Sequence, residues 1–179
     1  MKILQHFKTI TTHKLLVMKG CFQLGLYKQG LLHDLSKYAP KEFLTGAKYY
    51  QGDRSPNAAE RDAIGYSESW LHHKGRNKHH YEYWIDFDPK NPDSPLRIAP
   101  MPDRYIVEML VDRVAACKVY NGDKFTTQDP LDYYNKGNTA QFLHPHTEKM
   151  LVGLLKMYAQ KGEKYTFRYI RKRILKNIK

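Results

Sequence analysis

The chain is poor in cysteine and in long apolar runs. Its two cysteines, Cys21 and Cys117, lie in periodic apolar stretches and lack the spacing of a CxxC metal knuckle or a disulfide framework. We therefore expect two buried, reduced thiols. No stretch approaches the roughly 20 consecutive apolar residues that a membrane span needs, and lysines interrupt the N-terminal segment, so we expect neither an anchor nor a signal peptide there. The sequence predicts a soluble, cytoplasmic protein.

Strand-like alternation, internal repeats and low-complexity segments are also missing. Apolar residues recur instead at steps of three and four, which is typical of amphipathic helices. A length of 179 residues suits one core better than two domains. We therefore predict an all-α fold, a single-domain helical bundle with one long proline-rich loop. We expect a helical core over about 12–120, packing helices over 121–162 and a basic amphipathic helix over 163–179.

Three parts of the core region have distinct patterns. Ala58 to about Lys74 reads as one helix, with Ile64 and Trp70 as candidate core residues. Asp86 to Pro102 contains five prolines and is predicted as the long loop, because proline breaks regular helix. Asp103 to Tyr120 is predicted as the clearest helix, and a polar, turn-rich stretch follows it.

Carboxylates are scarce relative to cations. The chain has 30 lysines and arginines against 18 aspartates and glutamates, a net charge of +12, which favours anionic partners. The C-terminal segment is either a solvated basic face or a helix that docks by its apolar side and presents cations to nucleic acid or an anionic membrane. Its cations are Lys164, Arg168, Arg171, Lys172, Arg173, Lys176 and Lys179, and its apolar face holds Phe167, Ile170, Ile174 and Ile178.

Histidine, in contrast, is abundant. Six of the nine histidines lie in two clusters that also hold carboxylates. Imidazole and carboxylate together form a ligand set for zinc, manganese or iron, so the clusters predict a metal site. Asp112 lies on the strongest apolar stripe of the chain, where an unpaired carboxylate would cost several kcal/mol in desolvation. We expect a metal ion or a histidine to neutralise it, or an ion pair with Arg104 or Arg113.

The spacing of His13, the adjacent pair His33-Asp34 and the distant Asp112 allows these side chains to converge from different helices. Together with the local sequences His-Lys-Leu-Leu-Val and Leu-Leu-His-Asp-Leu-Ser-Lys, this spacing resembles the pattern of the HD superfamily, metal-dependent proteins that are named for a His-Asp pair on a helix. The resemblance covers roughly Thr12 to Tyr120. It implies an HD-type bundle in which His13, His33, Asp34 and Asp112 ligate one metal ion.

The second histidine cluster, together with the Glu108-x3-Asp112 spacing, looks like a domain family of unknown function, DUF5662, within that superfamily. Some HD proteins hold two metal ions bridged by the aspartate of the pair. Either the second cluster supplies further ligands, His73 and one of His79 and His80, or it contacts phosphate or caps a helix. With His80 preferred, the six-ligand set is His13, His33, Asp34, His73, His80 and Asp112.

The resemblance implies one or two divalent ions, Mn, Fe, Zn, Ni, Co or Mg, and hydrolysis of a phosphoester through a metal-activated water. The expected substrate is a nucleotide or another phosphorylated small molecule. A di-iron HD-type oxygenase and a non-enzymatic nucleic-acid-binding module that uses the basic C-terminal helix are the alternatives. We expect Glu108 to orient an imidazole, Lys37 and Glu82 to be catalytic, and Lys37, Lys74, Arg76, Asn77, Lys78 and His79 to bind substrate.

Overall fold

Helices form most of the fold. The structure, a computed structural model, describes residues 2–93 and 95–176, and the predicted all-α class is confirmed. The described helices are α1 (Lys2–Gln23), α2 (Tyr27–Leu32), α3 (Pro40–Lys48), α4 (Pro56–Ile64), α5 (Glu68–Lys74), α6 (Asp103–Asn121), α7 (Asp129–Lys136) and α8 (Pro145–Tyr169). Short 3-10 turns lie at Leu35–Tyr38, Tyr81–Trp84, Gly122–Lys124 and Ala140–Phe142, and a π-helical turn, Ile170–Ile174, follows α8.

Helix α6 lies at the centre of the core, where it packs against α1, α7 and α8. It buries more than one face, since Ile106, Val107 and Leu110 are fully enclosed and Val114 is nearly so. The same helix carries Asp112, so the strongest apolar stripe of the sequence also holds the carboxylate of a predicted site. Both cysteines are buried and free, as predicted.

Helices α1 and α6 approach each other closely at Gly20. A Cβ atom built on Gly20 would lie 2.6 Å from Cγ1 of Val111 on α6 and 3.7 Å from the ring of Phe167 on α8. Real Cβ atoms do not approach neighbours so closely, which means that a glycine is required there for this packing. The contact brings α1, which carries His13, against α6, which carries Asp112.

The region predicted as one helix from Ala58 to Lys74 is two helices. Helix α4 ends at Ile64 because Gly65 adopts a left-handed conformation with φ of 85°, and α5 starts only at Glu68. The prediction that Ile64 belongs to the core was wrong: its side chain is 46% exposed at the end of α4. Trp70 is half-buried, and Gly75 ends α5 as predicted.

Two further segments differ from the sequence prediction. The proline-rich segment contains a small antiparallel hairpin, in which β1 (Ile85–Phe87) pairs with β2 (Leu96–Ile98), although no strands were predicted. The stretch after α6 contains the helix α7 rather than turns alone, with Pro130 in its first turn, where proline is tolerated.

The C-terminal segment joins the core by its apolar side. Phe167, Ile170 and Leu175 are buried, while the cations of this segment are exposed as far as Lys176. Ile178 and Lys179, which the sequence also assigned to this helix, lie outside the described residues. Over residues 2–93 and 95–176, no helix combines the length and the apolar character needed to cross a membrane.

The close approach at Gly20 gives a test of the packing. We expect Gly20→Ala to lower the free energy of unfolding by about 1–3 kcal/mol, because the added methyl group overpacks the contact with Val111. Gly153→Ala is the matched control on α8, where a Cβ meets nothing within 4 Å, and we expect it to raise that free energy by about 0.5–1 kcal/mol. Urea denaturation measures both, and equal stabilisation by the two changes would contradict the close contact.

Candidate metal centre

The His33-Asp34 pair lies in the link between two helical elements. His33 caps the C-terminus of α2, and Asp34 adopts a left-handed conformation with φ of 52° before the 3-10 turn Leu35–Tyr38 begins. The expectation of a pair within a helix was wrong, because the chain leaves the helix at His33. Nζ of Lys14 donates to the carbonyls of Leu31 and His33 at 2.9 and 2.8 Å and so satisfies the end of α2.

Four side chains from three parts of the chain converge beside α6. Nε2 of His13 lies 2.9 Å from Oδ1 of Asp112 and 3.4 Å from Nε2 of His33. Nε2 of His33 lies 3.4 Å from Oδ2 of Asp34. Ligands held about 2.0–2.2 Å from one ion in tetrahedral or octahedral geometry are separated by about 3.0–3.4 Å. The spacing fits the first ligand group: His13, His33, Asp34 and Asp112.

A second set of ligand atoms adjoins the first. The other carboxylate oxygen of Asp34, Oδ1, lies 3.2 Å from Nε2 of His73 and 3.4 Å from Nε2 of His79. Nε2 of His73 lies 2.9 Å from Nε2 of His80. The second ligand group is therefore Asp34, His73, His79 and His80. Because the two oxygens of Asp34 face different groups, its carboxylate stands between them.

Both groups together contain the whole predicted six-ligand set. They also contain His79, which the sequence assigned to substrate binding. The choice between His79 and His80 therefore disappears, since both imidazoles present Nε2 to the same group. Their roles as ligands stay a prediction, as the geometry records only where the atoms lie.

The centre contains buried polar atoms without partners. Among the residues that the structure describes, Oδ1 of Asp34 and Nε2 of His79 have no hydrogen-bond partner, although these residues are 1% and 2% exposed. Oδ2 of Asp34 forms an ion pair with Nζ of Lys37 at 2.6 Å. Buried acceptors without partners are costly, and a cation bound between Oδ1 of Asp34 and Nε2 of His79 would satisfy both atoms.

Two carboxylates hold the imidazoles from behind. Oε1 of Glu108 lies 2.9 Å from Nδ1 of His33 and 3.3 Å from Nδ1 of His79. Oε2 of Glu42 lies 2.8 Å from Nδ1 of His73. Each contact leaves Nε2 of the ring directed at a ligand group, as outer carboxylates do around metal-bound histidines. Glu108 was expected in this role. Glu42 was missed because nothing in the sequence distinguishes it from other carboxylates in the first turn of a helix.

The position of His73 depends on how α5 begins. The buried carboxylate of Glu60 on α4 accepts hydrogen bonds from the hydroxyls of Ser67 and Ser69 at 2.6 and 2.7 Å. Ser67 also caps α5 by accepting from the backbone N–H of Trp70. These contacts fix the first turn of α5, and His73 lies on its last turn.

The remaining predicted residues adjoin the histidines of the second ligand group in the sequence. The amide of Asn77 donates to Oγ of Ser36 and to the carbonyl of His73, at 3.0 and 2.9 Å. Arg76 is exposed and donates to the carbonyl of His72, Lys78 is exposed above the ring of Tyr83, and Lys74 is half-buried. Glu82 is half-buried on the 3-10 turn Tyr81–Trp84, with Oε2 lacking a partner among the described residues.

The charges of the centre divide the histidines into two kinds. Burial lowers the pKa of His13, and the positive charge of Lys37 lowers it further. Burial also lowers the pKa of His80, and the neighbouring imidazoles reinforce the effect. Burial opposes protonation of His33 and His73 too, but Asp34 and the other carboxylates outweigh it and raise the pKa of both rings. Against the effect of burial, His33 and His79 lower the pKa of Glu108 to about 2.

These shifts predict proton release when metal binds. The raised pKa of His33 and of His73 favours the doubly protonated imidazole in the metal-free protein, whereas a metal ion requires the neutral ring. Binding should therefore release protons, and apparent affinity should weaken as the pH falls. Calorimetric titration with Zn²⁺ in buffers of different ionisation enthalpy counts these protons. The count should fall in His33→Ala and stay unchanged in His146→Ala, where the exposed imidazole pairs with Asp103, and zero release in the unsubstituted protein would contradict the assignment.

The comparison with known proteins gives a family and no activity. No curated protein and no solved structure was found to match the chain. The sequence profile of one family, described as "Family of unknown function (DUF5662)", matches residues 2–157. That range covers most of the 179 residues and includes every residue of both ligand groups, so the chain belongs to the DUF5662 family.

Proposed function

We propose that the protein is a metal-dependent hydrolase of HD type that cleaves a phosphoester bond of a nucleotide or a related phosphorylated small molecule. One observation carries the proposal: the two carboxylate oxygens of Asp34 serve two adjoining groups of histidine and carboxylate ligands. A carboxylate in that position can bridge two ions, which in two-metal hydrolytic sites lie about 3.5–4 Å apart. Ions bound there would supply an activated water and a Lewis acid for the phosphoryl oxygens.

The first ligand group has an accessible side. The side chain of Lys37 is 28% exposed and that of Asp112 is 16% exposed, while His33 and Asp34 are almost completely enclosed. A substrate phosphate would therefore approach the centre beside Lys37. Burial opposes the charge of this lysine, but Asp34 raises its pKa, so the ammonium group stays protonated and can hold a phosphoryl oxygen.

Lys37 could contact both Asp34 and the substrate in this proposal. Its Nζ lies against the Asp34 oxygen that belongs to the first ligand group. An ion held by that oxygen would share the negative charge of Asp34 with Lys37, so that the ammonium group could also hold a substrate oxygen. The exposed cations Arg76 and Lys78 would contact the substrate farther from the reacting phosphate. We assign Asn77 to holding His73, because its amide is already bound to Ser36 and His73.

An oxygen-activating di-iron protein would use the same ligands. The second ligand group is compatible with this alternative, because three imidazoles and one shared carboxylate suit iron as well as zinc, nickel or cobalt. The catalytic role expected for Glu82 stays a prediction. Metal identity and the products formed separate the two enzyme classes.

Substitution of the ligands tests the proposal. We expect two ions per chain in the unsubstituted protein, loss of the first position in Asp112→Asn, loss of the second in His80→Ala and loss of both in Asp34→Asn. Metal analysis after dialysis against Mn²⁺ measures occupancy, and phosphate release from a panel of nucleotides measures activity. Hydrolysis should fall at least about 100-fold in Asp34→Asn, since the activated water is lost with the metal.

His146→Ala is the matched control, because this histidine is exposed and pairs with Asp103 away from both ligand groups. Circular dichroism checks that each variant is folded. Unchanged metal content in all three ligand variants would overturn the metal centre. Bound metal without phosphate release, with any divalent ion, would overturn the hydrolase, and two irons with oxygen consumption would establish the alternative.

Nucleic-acid binding is a second candidate function, favoured by the exposed surface at the end of α8. Tyr165 and Tyr169 are 43% and 40% exposed there, and they alternate with exposed lysines and arginines, while Phe167 and Ile170 anchor the segment to the core. Cations that follow a phosphate backbone, interleaved with aromatic rings on which bases stack, are typical of surfaces for single-stranded nucleic acid. We define this C-terminal surface as the exposed residues Lys161, Lys164, Tyr165, Arg168, Tyr169, Arg171, Lys172, Arg173 and Lys176.

Charge reversal tests the C-terminal surface. We expect the triple variant Arg171→Glu, Lys172→Glu and Arg173→Glu to weaken binding of a single-stranded oligonucleotide at least about tenfold. The salt dependence should also become shallower, by a slope of about 2, because three phosphate contacts are lost. Fluorescence anisotropy over a range of salt concentrations measures both quantities.

The control reverses three exposed lysines on the N-terminal helices, Lys2, Lys8 and Lys28. It changes the net charge by the same amount and should leave most of the affinity intact. Equal losses in the two variants would mean that net charge alone attracts the oligonucleotide, which would remove the C-terminal surface as a binding site.

A further inference from the structure

We propose that Glu108 is a positioning residue that couples the two candidate metal positions, because a single one of its oxygens holds one ligand of each group. The inference rests on the proposed metal centre and adds a property to it: the two positions should not bind ions independently. Glu108 itself lies outside both ligand groups in this assignment, since its carboxylate faces the rear nitrogens of the imidazoles.

The geometry closes a ring of four side chains. Oε1 of Glu108 contacts Nδ1 of His33 and Nδ1 of His79, at 2.9 and 3.3 Å. On the opposite edge of the two rings, Nε2 of His33 and Nε2 of His79 each lie 3.4 Å from an oxygen of Asp34. The imidazole centroids are 4.3 Å apart with an angle of 33° between the planes. The two rings therefore lie side by side between one carboxylate in front and one behind.

This arrangement favours the same tautomer on both rings once they are neutral, as a bound ion requires. A carboxylate oxygen only accepts hydrogen bonds, so it favours a proton on Nδ1 of each neutral imidazole and a lone pair on each Nε2. Both Nε2 atoms face the ligand groups. An ion at either position would hold its histidine and, through Glu108, would orient the histidine of the other position before the second ion arrives.

Glu108 is itself held in place. Its side chain is buried on α6, one turn before Asp112, and Nε2 of Gln29 donates to its second oxygen at 2.8 Å. The same amide nitrogen donates to the carbonyl of Arg104 at 3.0 Å. Because the carboxylate of Glu108 is fixed, a change in the orientation of one imidazole affects its contact with the other imidazole. A mobile carboxylate would adjust to each ring and would not couple them.

The chain contains a matched comparison in Glu42. Its carboxylate is also buried and also contacts the rear nitrogen of a ligand, His73, but that ligand belongs only to the second group. Its other oxygen contacts His72, which lies outside both groups. Loss of the Glu42 charge should therefore affect one position, and loss of the Glu108 charge should affect two.

Titration with Co²⁺ tests the coupling, with visible absorption reporting coordination and calorimetry giving the stepwise affinities. We expect Glu108→Gln to weaken both binding steps about 10–100-fold and to abolish any cooperativity between them. Glu42→Gln should weaken only one step. In a His80→Ala background, which isolates the first position, Glu108→Gln should still weaken Co²⁺ binding. Glu42→Gln should leave the Co²⁺ affinity unchanged in that background. Altered absorption of bound Co²⁺ in Glu108→Gln is the readout that a purely structural defect would not produce.

The outcomes separate this inference from the proposed function. If the unsubstituted protein binds no Co²⁺, the metal centre itself is overturned. If it binds two ions and Glu108→Gln changes one step only, or neither, the coupling is overturned while the metal centre stands. Should Glu108→Gln fail to fold, Gln29→Ala replaces it, because loss of the amide frees Glu108 and should weaken both steps by a smaller factor. An unchanged affinity at both steps in Gln29→Ala would then count against the coupling.

Discussion

The buried carboxylate of Asp34 is the group around which the rest of the centre is arranged. A charge in that environment is tolerated only if other groups compensate it, and here the compensation comes from Lys37 and from imidazoles on both sides. The left-handed backbone at Asp34 is uncommon for a residue other than glycine, though aspartate accepts it more readily than most. That conformation turns the carboxylate inward, so that each oxygen faces a different set of histidines.

Helix α6 joins the core to the candidate centre. Its apolar residues pack against three other helices, and Glu108 and Asp112, spaced four residues apart, project from one face towards the histidines. The packing that stabilises the fold therefore also holds α1 against α6, and the contact of Gly20 with Val111 leaves no room for a Cβ atom there. Stability and the geometry of the candidate centre therefore depend on the same helix.

Sequence patterns predicted the inner residues of the centre better than the residues that support them. The sequence shows these residues through their type, the local sequence around them and the helical periodicity of their segments. This holds for His13, His33, Asp34 and Asp112. Glu42 and Gln29 are ordinary polar residues of helices, and their partners lie 31 and 79 residues away, so only the folded chain reveals them. The hairpin was missed because three-residue strands are too short for alternation to register, and Ile64 was misassigned because helical spacing continued past Gly65.

The hydrogen bonds at the start of α5 fix the rotation of this helix about its axis, and so they fix the direction in which His73 points. Successive residues of an α-helix are rotated by about 100° around its axis, so a slip of α5 by one residue would turn His73 away from Asp34 and bring His72 or Lys74 inward. The hydrogen bonds that Ser67 and Ser69 donate to Glu60 oppose that slip at the opposite end of the helix. Of two adjacent histidines with the same chemistry, the one that faces Asp34 is therefore selected by side-chain contacts in the first turn of α5.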